Sequence, residues 1–417
     1  MRRLNPRVIW VSMYCAINLI CGIVIYFTRN LLGEASSLTL EHRGVVPWIT
    51  LLIILSYILP LLIVFPLFSK IKIRPVQYSR HDLGNAVGVL CLILQLAYIA
   101  FFIKTGTGVA GSMNRTDSPF SIFWVLLNQD SLFYIYYGFY RSKRMFWPIL
   151  LVSIISNILR GWNGIFVVIV FMESCRLMRA GKLRAKHILL GASFVTVCSP
   201  VIWVFKWQVR AVLSQGVKLT DLGALLTGVI GSLGTTGVLQ IAGIALLGML
   251  ARLQLVSDVV VVFQNSHVLA EKIANGIINP FWREGLLGLT LDRLFGIRTP
   301  DLGVAVANCI DPFHLNNWNV NPGYVGWFFL QPWTIPLLLF YTAVLCWISM
   351  YFVKKLAPGE TSLDILWLAW LSFLVPAWLA SMVLFIFVLF AFHCLHLLAA
   401  LYFKWRDAFL ASQTSQL

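Results

Sequence analysis

The sequence contains little charge and even less acid. Only 12% of its 417 residues are charged, and 16 are Asp or Glu against 32 Lys or Arg. A soluble globular protein has about 25% charged residues, which cover its surface. Together with 59% hydrophobic residues and a mean hydropathy of +0.83, this composition excludes an ordinary soluble fold and predicts an integral membrane protein.

Cysteine is nearly missing from the longest segment between predicted spans, residues 207–332. Only Cys309 of the eight cysteines lies there, so no disulfide can form within that segment. The sequence also lacks a P-loop, a dinucleotide-binding fingerprint, a Ser-His-Asp order and a cluster of metal ligands. We therefore find no motif for nucleotide or metal chemistry.

Apolar runs long enough to cross a hydrocarbon core recur along the chain. They predict an all-α, polytopic transmembrane helical bundle of about ten spans, or about 11–12 if a re-entrant segment is counted. The predicted spans are 8–28, 46–68, 84–103, 119–140, 145–159, 163–178, 188–206, 333–353, 363–380 and 382–403. The first run lacks a small-residue cleavage site, so we interpret it as a retained helix. Helices one to seven occupy 1–206, the large loop 207–332, and helices eight to ten 333–417.

Basic residues indicate the orientation of these spans. If the N-terminus is cytoplasmic, 19 of the 32 Lys and Arg residues fall in short cytoplasmic segments. They are Arg2, Arg3, Arg7, Lys70, Lys72, Arg74, Arg80, Arg141, Lys143, Arg144, Arg176, Arg179, Lys182, Arg184, Lys186, Lys354, Lys355, Lys404 and Arg406. We therefore expect cytoplasmic termini and a large loop on the other side. This pattern explains the formal charge of +16 without nucleic acid.

The segment Gly223–Leu250 is uncharged over 28 residues and is long enough to span. A single crossing there would reverse the later loops and place Lys354 and Lys355 outside. Its glycines and paired threonines also suit packing against protein better than lipid. We predict that it is re-entrant or lies on the outer face, because irregular backbone at membrane depth needs shielding by protein.

The 207–332 loop contains several helical patterns. Arg252–Ile273 has apolar residues at three- and four-residue spacings, which predicts one amphipathic helix. A second short helix is predicted over Trp282–Phe295, ending at Gly296. After an apolar stretch at Leu302–Ile310, a polar and aromatic segment precedes the eighth span.

That polar and aromatic segment combines residue types that suit sugars. Asn, Asp and His can hydrogen-bond hydroxyl groups, while Trp and Tyr rings pack against the C–H faces of sugars. The candidate glycan-binding residues are Asn316, Asn317, Trp318 and Tyr324. A plain surface loop is the alternative, and we interpret Trp327 and Trp333 as membrane-interface anchors.

Several arginines lie on the outer side, where orientation rules do not require positive charge. Arginine binds phosphate oxygens bidentately and stays charged near lipid. The candidate ligands of a lipid diphosphate are Arg160, Arg252, Arg283 and Arg298, followed by Arg210. Arg160 is the strongest of them, because a tight glycine-containing turn between two spans does not need an arginine. The alternative for each is a loop or snorkelling arginine.

These pieces together resemble the O-antigen polymerase (Wzy) family of bacterial inner-membrane glycosyltransferases. The junction at 157–161, with Arg160 and Gly161, looks like the family's polar-Arg-Gly junction. Arg252-Leu253 is similar to the arginine-led segment of its large periplasmic loop. The segment 298–303 followed by 321–327 resembles its Pro-acid-Gly stretch and glycine-aromatic turn, although the acidic residue often found in that turn is absent here.

The resemblance implies a GT-C-like helical fold in the bacterial inner membrane, with a periplasmic active site and no cofactor or metal. The substrates would be undecaprenyl-diphosphate-linked oligosaccharides in membrane lipid, with a chain-length regulator protein as a further partner. The arginines would hold the diphosphate and neutralise its developing charge. His314, followed by Asp301, is our candidate for taking the proton of the acceptor hydroxyl.

Polar residues inside the spans receive structural interpretations. Asp130, in the middle of the fourth span, is predicted to pair with a buried cation or, in a transporter, to mark a proton path. Glu173 and Arg176, one helical turn apart, are predicted to form a local pair. For His393 and His396 we favour interhelical hydrogen bonds over a metal pair.

Two alternative functions remain open from the sequence. An O-antigen ligase would share the fold and the donor. A lipid-linked glycan flippase belongs to another class, and it would keep charged residues inside the bundle in both halves of the membrane.

Overall fold

The computed structural model describes residues 5–76, 82–109, 118–162, 164–184, 186–187, 190–191, 193, 223, 227, 231, 243, 248, 252–296, 299–312, 319–356 and 359–414. This part of the chain is all-helical, with 76% helix and no strands. The all-α prediction is therefore confirmed for the described residues.

The helices are α1 (Pro6–Thr28), α2 (Val45–Ile58, continuing as a π-helix over Leu59–Val64 and an α-helix over Phe65–Ser69), α3 (Leu83–Thr105), α4 (Ser121–Leu126), α5 (Gln129–Tyr140), α6 (Phe146–Leu159), α7 (Gly164–Arg179), α8 (Val256–Gln264), α9 (Ser266–Ala274), α10 (Leu286–Phe295), α11 (Leu302–Ile310), α12 (Gly326–Leu330), α13 (Ile335–Lys355), α14 (Glu360–Ala369, continuing as a π-helix over Trp370–Leu374) and α15 (Leu379–Thr414).

Five of these helices are long and apolar enough to cross a membrane. They are α1, α2, α3, α13 with the short turn before it, and α15. Each coincides with a predicted span. Two shorter apolar helices, Phe146–Leu159 and Thr361–Leu374, coincide with two more. The total of about ten spans stays a prediction, since 188–206 and 223–250 lie almost wholly outside the described residues.

The prediction of one continuous helix over 119–140 is wrong. The chain leaves the helical conformation between α4 and α5, and the side chain of Asn128 accepts a hydrogen bond from the backbone N–H of Ser131 at 3.0 Å. Asn is a preferred N-cap because its side chain satisfies a backbone donor at the helix start. Hydropathy alone does not detect such a cap inside an apolar run.

Ion pairs and hydrogen bonds define one side of the bundle, which we call the N-terminal side. Arg7 at the start of α1 bonds Asp364 in α14 at 2.6 Å, and Arg179 at the end of α7 contacts the same carboxylate. Lys354 at the end of α13 donates to the carbonyl oxygen of Ser69 at the end of α2. The other ends of these helices form what we call the opposite side.

Two of the predicted polar contacts inside the spans are confirmed. Arg176 Nε contacts Glu173 Oε2 at 2.6 Å as a local pair. His396 bonds the hydroxyl of Tyr140, which joins α15 to α5. Among the described residues, no group of three or more His, Cys, Asp and Glu side chains is placed to hold a metal ion.

The amphipathic helix predicted over Arg252–Ile273 is wrong in two respects. It is broken at Asn265 into α8 and α9, and every residue from Val256 to Val262 is buried. The side chain of Asn18, near the middle of α1, accepts from the backbone N–H of Leu255 at 2.7 Å. The chain therefore enters α8 beside the middle of α1, where the side chain of Asn18 satisfies its irregular backbone.

Two smaller predictions in the large loop also need correction. The helix predicted to start at Trp282 starts at Leu286, because residues 281–285 form a turn with Gly285 at a φ of 88°. Trp327 is not an interface anchor, since its side chain is only 1% exposed and its ring packs edge-on against Phe281. Trp333 is 73% exposed, as expected of an anchor.

Candidate functional site

Two carboxylates meet at the start of α11 on the opposite side. Asp301 immediately precedes the helix, and Glu284, from the turn before α10, accepts the backbone N–H of Leu302 at 3.1 Å. Backbone donors at a helix start are otherwise unpaired and favour a carboxyl oxygen. The fold thus brings Glu284 to Asp301, and we call these two residues the carboxylate pair.

Asn279 holds the carboxylate pair in place. Its backbone N–H donates to the carbonyl oxygen of Pro300 at 2.9 Å. Its side-chain nitrogen donates to the carbonyl oxygen of Thr299 at 2.9 Å and to Asp301 Oδ1 at 3.1 Å. These two acceptors fix the orientation of the amide, so the side-chain oxygen of Asn279 is the atom left buried without a hydrogen-bond partner.

A buried oxygen without a partner indicates that a donor is missing. Asn321 presents a second such oxygen. It belongs to the segment that follows Val320, whose N–H donates to the carbonyl oxygen of Gly303 in the first turn of α11 at 3.2 Å. Hydroxyl groups of a sugar, or water, would supply the donors that both amide oxygens lack.

The two carboxylates differ in their surroundings. Glu284 is 5% exposed, whereas Asp301 is only half-buried. Burial, and secondly the nearby carboxylate of Asp301, raises the pKa of Glu284 well above its usual value, while the hydrogen bond from Leu302 opposes the shift. Both effects favour the protonated form of Glu284. Neighbouring carboxyl groups with different environments are how proteins separate an acid from a base.

This difference makes stability depend on pH. The folded-state pKa of Glu284 is raised, so its contribution to stability is fully present below the unfolded-state pKa. It is lost as the pH rises through the raised folded-state value. We expect the thermal unfolding midpoint of the wild type in detergent to fall, relative to that of Glu284→Gln, as the pH increases from 5 to about 9. Glu271→Gln, on the exposed face of α9, is the control, and its unfolding midpoint should depend on pH as that of the wild type does. If the midpoints of wild type and Glu284→Gln vary with pH in parallel, the raised pKa of Glu284 is contradicted.

Arg160 is already paired inside the protein. Its NH2 group lies 2.6 Å from Asp130 Oδ1, and Asn157 donates to the same oxygen at 2.8 Å. The guanidinium also lies over the rings of Tyr98 and Phe102, with its central carbon 5.2 and 5.9 Å from their centres. The prediction that Asp130 pairs with a buried cation is confirmed. The role of Arg160 in holding a diphosphate stays a prediction.

Arg252 has a partner of a different kind. Its NH2 group lies 2.5 Å from Glu34 Oε1, and its side chain is 54% exposed. Asp258, six residues further along the chain and within α8, is buried. An exposed arginine exchanges an ion-pair partner at little cost. Among the predicted diphosphate ligands that the structure describes, Arg252 is thus the most accessible.

The other described candidates lie close to the carboxylate pair or to α13. Arg283 directly precedes Glu284 and is half-buried, with its backbone N–H bonded to the carbonyl oxygen of Pro280. The hydroxyl of Tyr324 is 3.1 Å from Thr342 Oγ1 in α13. Burial raises the pKa of Tyr324 to about 12.

Six of the predicted site residues lie outside the described residues. They are Arg210, Arg298, His314, Asn316, Asn317 and Trp318. Their predicted roles are neither supported nor opposed by the structure.

Sequence reasoning missed Glu284 and Asn279. Each sits in an apolar stretch without a recognisable motif, and each acts on Asp301 across about 20 residues of chain. The only signal was the polarity of Arg283-Glu284 between two apolar segments. Comparisons with protein-family models, curated proteins and solved structures find no match to this chain.

Proposed function

We propose that this protein is an O-antigen or surface-polysaccharide polymerase. It joins oligosaccharide repeat units carried on undecaprenyl diphosphate by glycosyl transfer. The proposed location is the bacterial inner membrane, with both termini in the cytoplasm and the opposite side facing the periplasm. The observation that carries the proposal is the carboxylate pair, with the unpartnered amide oxygen of Asn279 beside it. The family resemblance at 157–161 and 298–303 supplies the substrate class.

Diphosphate is already a good leaving group, so the acceptor hydroxyl is the group that needs activation, and a base supplies it. The oxygen of an acceptor sugar hydroxyl attacks the anomeric carbon of the donor sugar, and a new carbon–oxygen bond forms. The bond from that carbon to the diphosphate breaks, and its electron pair leaves with the lipid diphosphate. Asp301 takes the hydroxyl proton, which is general base catalysis.

Glu284 and the arginines support this step in different ways. Burial favours the protonated form of Glu284 and so limits the negative charge placed beside Asp301. Arg252 and Arg283 are the described cations proposed to hold the diphosphate and neutralise its charge. Arg160 is a weaker candidate than Arg252 and Arg283, because Asp130 already balances its charge.

One observation favours a second candidate, a lipid-linked glycan flippase. Such a transporter keeps charged residues inside the bundle in both halves. Asp130 pairs with Arg160 on the opposite side, and Asp364 pairs with Arg7 and Arg179 on the N-terminal side. Asp364 is 2% exposed. These pairs meet the criterion for a transporter better than the sequence indicated.

Reconstitution separates the candidates. The full chain is placed in liposomes with lipid-linked repeat units alone, and the products are separated on a gel. A ladder of increasing length is expected of a polymerase, whereas transfer only after lipid A core is added indicates a ligase. Movement of intact lipid-linked units between leaflets without any new glycosidic bond would refute both enzyme assignments and establish the flippase.

A further inference from the structure

The helix α10 exposes three of its described apolar side chains to the surroundings of the protein. Leu287 is 51% exposed, Leu294 72% and Phe295 68%. Positions seven and eight apart lie on the same face of an α-helix. A helix packed on a water-soluble domain would turn this face inward. The exposure of these three side chains is therefore unlike that expected in water.

A close backbone contact fixes the level of α10 relative to the last spanning helix. A Cβ atom built on Gly285, which has a φ of 88°, would lie 2.8 Å from the Cα of Ala380. Ala380 is in the first turn of α15. The turn before α10 thus touches the point at which a candidate spanning helix begins on the opposite side.

Two exposed tryptophans lie near these helix ends. Trp333, in the short turn before α13, is 73% exposed, and Trp282, four residues before α10, is 40% exposed. Tryptophan concentrates at the boundary between membrane and water. Below that boundary the exposed apolar surface continues on α13, where Leu337 is 49% exposed and Phe340 67%.

We propose that α10 lies in the membrane interface on the opposite side and inserts its apolar face into the acyl chains of that leaflet. Amphipathic helices bind in this way, with their apolar face about 5–10 Å below the headgroups. On their own, the three apolar side chains of α10 that the structure describes as exposed are too few for a stable protein interface, which buries about 1,200–2,000 Å² in total. The occupant of this face is bilayer lipid, and the inference stands whether or not the protein is a polymerase.

If the proposed function also holds, this helix explains how a lipid-borne substrate reaches the carboxylate pair. Glu284 lies in the turn that leads into α10. Anchoring α10 in the leaflet keeps that turn, and hence Asp301, next to the membrane surface where a lipid diphosphate resides. Loss of this anchoring would separate the pair from its substrate without removing any group that takes part in the reaction.

Depth measurement tests the insertion without any activity assay. p-Azidophenylalanine replaces Leu294 or Phe295 in the full chain, and a nitroxide is coupled to it, which leaves the native cysteines untouched. Labelled protein is placed in phosphatidylglycerol–phosphatidylethanolamine nanodiscs that hold one copy each. Collision rates are measured by electron paramagnetic resonance with oxygen, which concentrates in lipid, and with a water-soluble nickel complex. Phe340 provides the lipid control and Glu271, exposed on α9, the water control.

The expected ratio of oxygen to nickel collisions at Leu294 and Phe295 is several-fold higher than at Glu271 and approaches that at Phe340. Leu287, on the same face, provides a second site if a label at the helix end perturbs folding. Ratios equal to that of Glu271 at all three positions would overturn the proposal. Lipid-like ratios that appear only in discs with two copies would also overturn it, since they would identify a second copy as the occupant.

Discussion

Replacing Asp301 with Asn is expected to slow repeat-unit joining by about 10²- to 10⁴-fold, the usual contribution of a positioned base. Asn has nearly the same size and still accepts the hydrogen bond from Asn279 through its amide oxygen, but it cannot take a proton. The initial rate of ladder formation by purified variants in liposomes, at equal protein amounts, measures the effect. The loss should appear in kcat rather than KM, because the substituted group acts in the transition state.

Two further variants define what this loss means. Glu271→Gln removes an acidic group from the same loop without touching the carboxylate pair, so it controls for net charge. Glu284→Gln imitates the protonated carboxyl group and should lose less activity than Asp301→Asn. A rate for Asp301→Asn within about twofold of wild type would remove Asp301 from the reaction and leave His314 as the candidate base.

Removing Asp130 is expected to produce the largest loss of stability, about 3–5 kcal/mol. In Asp130→Ala the guanidinium of Arg160 stays buried, 5% exposed, beside the rings of Tyr98 and Phe102. Arginine cannot shed its proton, so the charge remains without compensation. The thermal unfolding midpoint in detergent, together with the amount of protein recovered from membranes, measures the effect.

Replacing Arg160 with Ala should lower stability less than replacing Asp130 with Ala. The difference between these two variants tests whether charge burial is the cause. In Arg160→Ala, Asp130 keeps the hydrogen bond from Asn157. Asp130 is also the more exposed partner, at 20% against 6% for the Arg160 side chain. We therefore expect a smaller fall in the unfolding midpoint than for Asp130→Ala. Equal falls for the two single variants would show that charge burial is not the cause.

A double variant and an exposed pair serve as controls. Asp130→Ala combined with Arg160→Met removes both charges and should recover most of the lost stability, since an apolar replacement of a buried pair is often neutral. Arg252→Ala breaks the pair with Glu34, in which the arginine side chain is 54% exposed, and should cost about 0–1 kcal/mol. A double variant as unstable as Asp130→Ala would contradict the electrostatic explanation.

The ion pair with Asp130 also determines how Arg160 must be tested as a diphosphate ligand. Because Arg160 is part of a buried ion pair, its loss affects folding as well, and activity alone cannot identify its role. Arg252 and Arg283 are better test positions, since neither is buried to the same degree.

The sequence identified Asp301 of the proposed site and missed Glu284 and Asn279, which lie beside it. Asp301 was identified as a candidate base, and the structure places it at the start of α11 with a second carboxylate. Glu284 and Asn279 escaped notice because neither belongs to a recognisable motif. Nothing in local composition indicates that residues 279, 284 and 301 share a helix start.

The sequence by itself determined that the protein is helical and suited to a membrane, where α1, α2, α3, α13 and α15 run, and that Glu173 pairs with Arg176. These properties depend on composition, on apolar run length and on residues one turn apart, all of which are local. Only the tertiary structure decided that α8 is buried beside Asn18, that Arg160 is balanced by Asp130, and that α10 turns its apolar face outward. Each of these depends on which distant segments pack together. Whether a charge or a backbone segment is buried, and whether an apolar face is exposed, is decided by those tertiary neighbours.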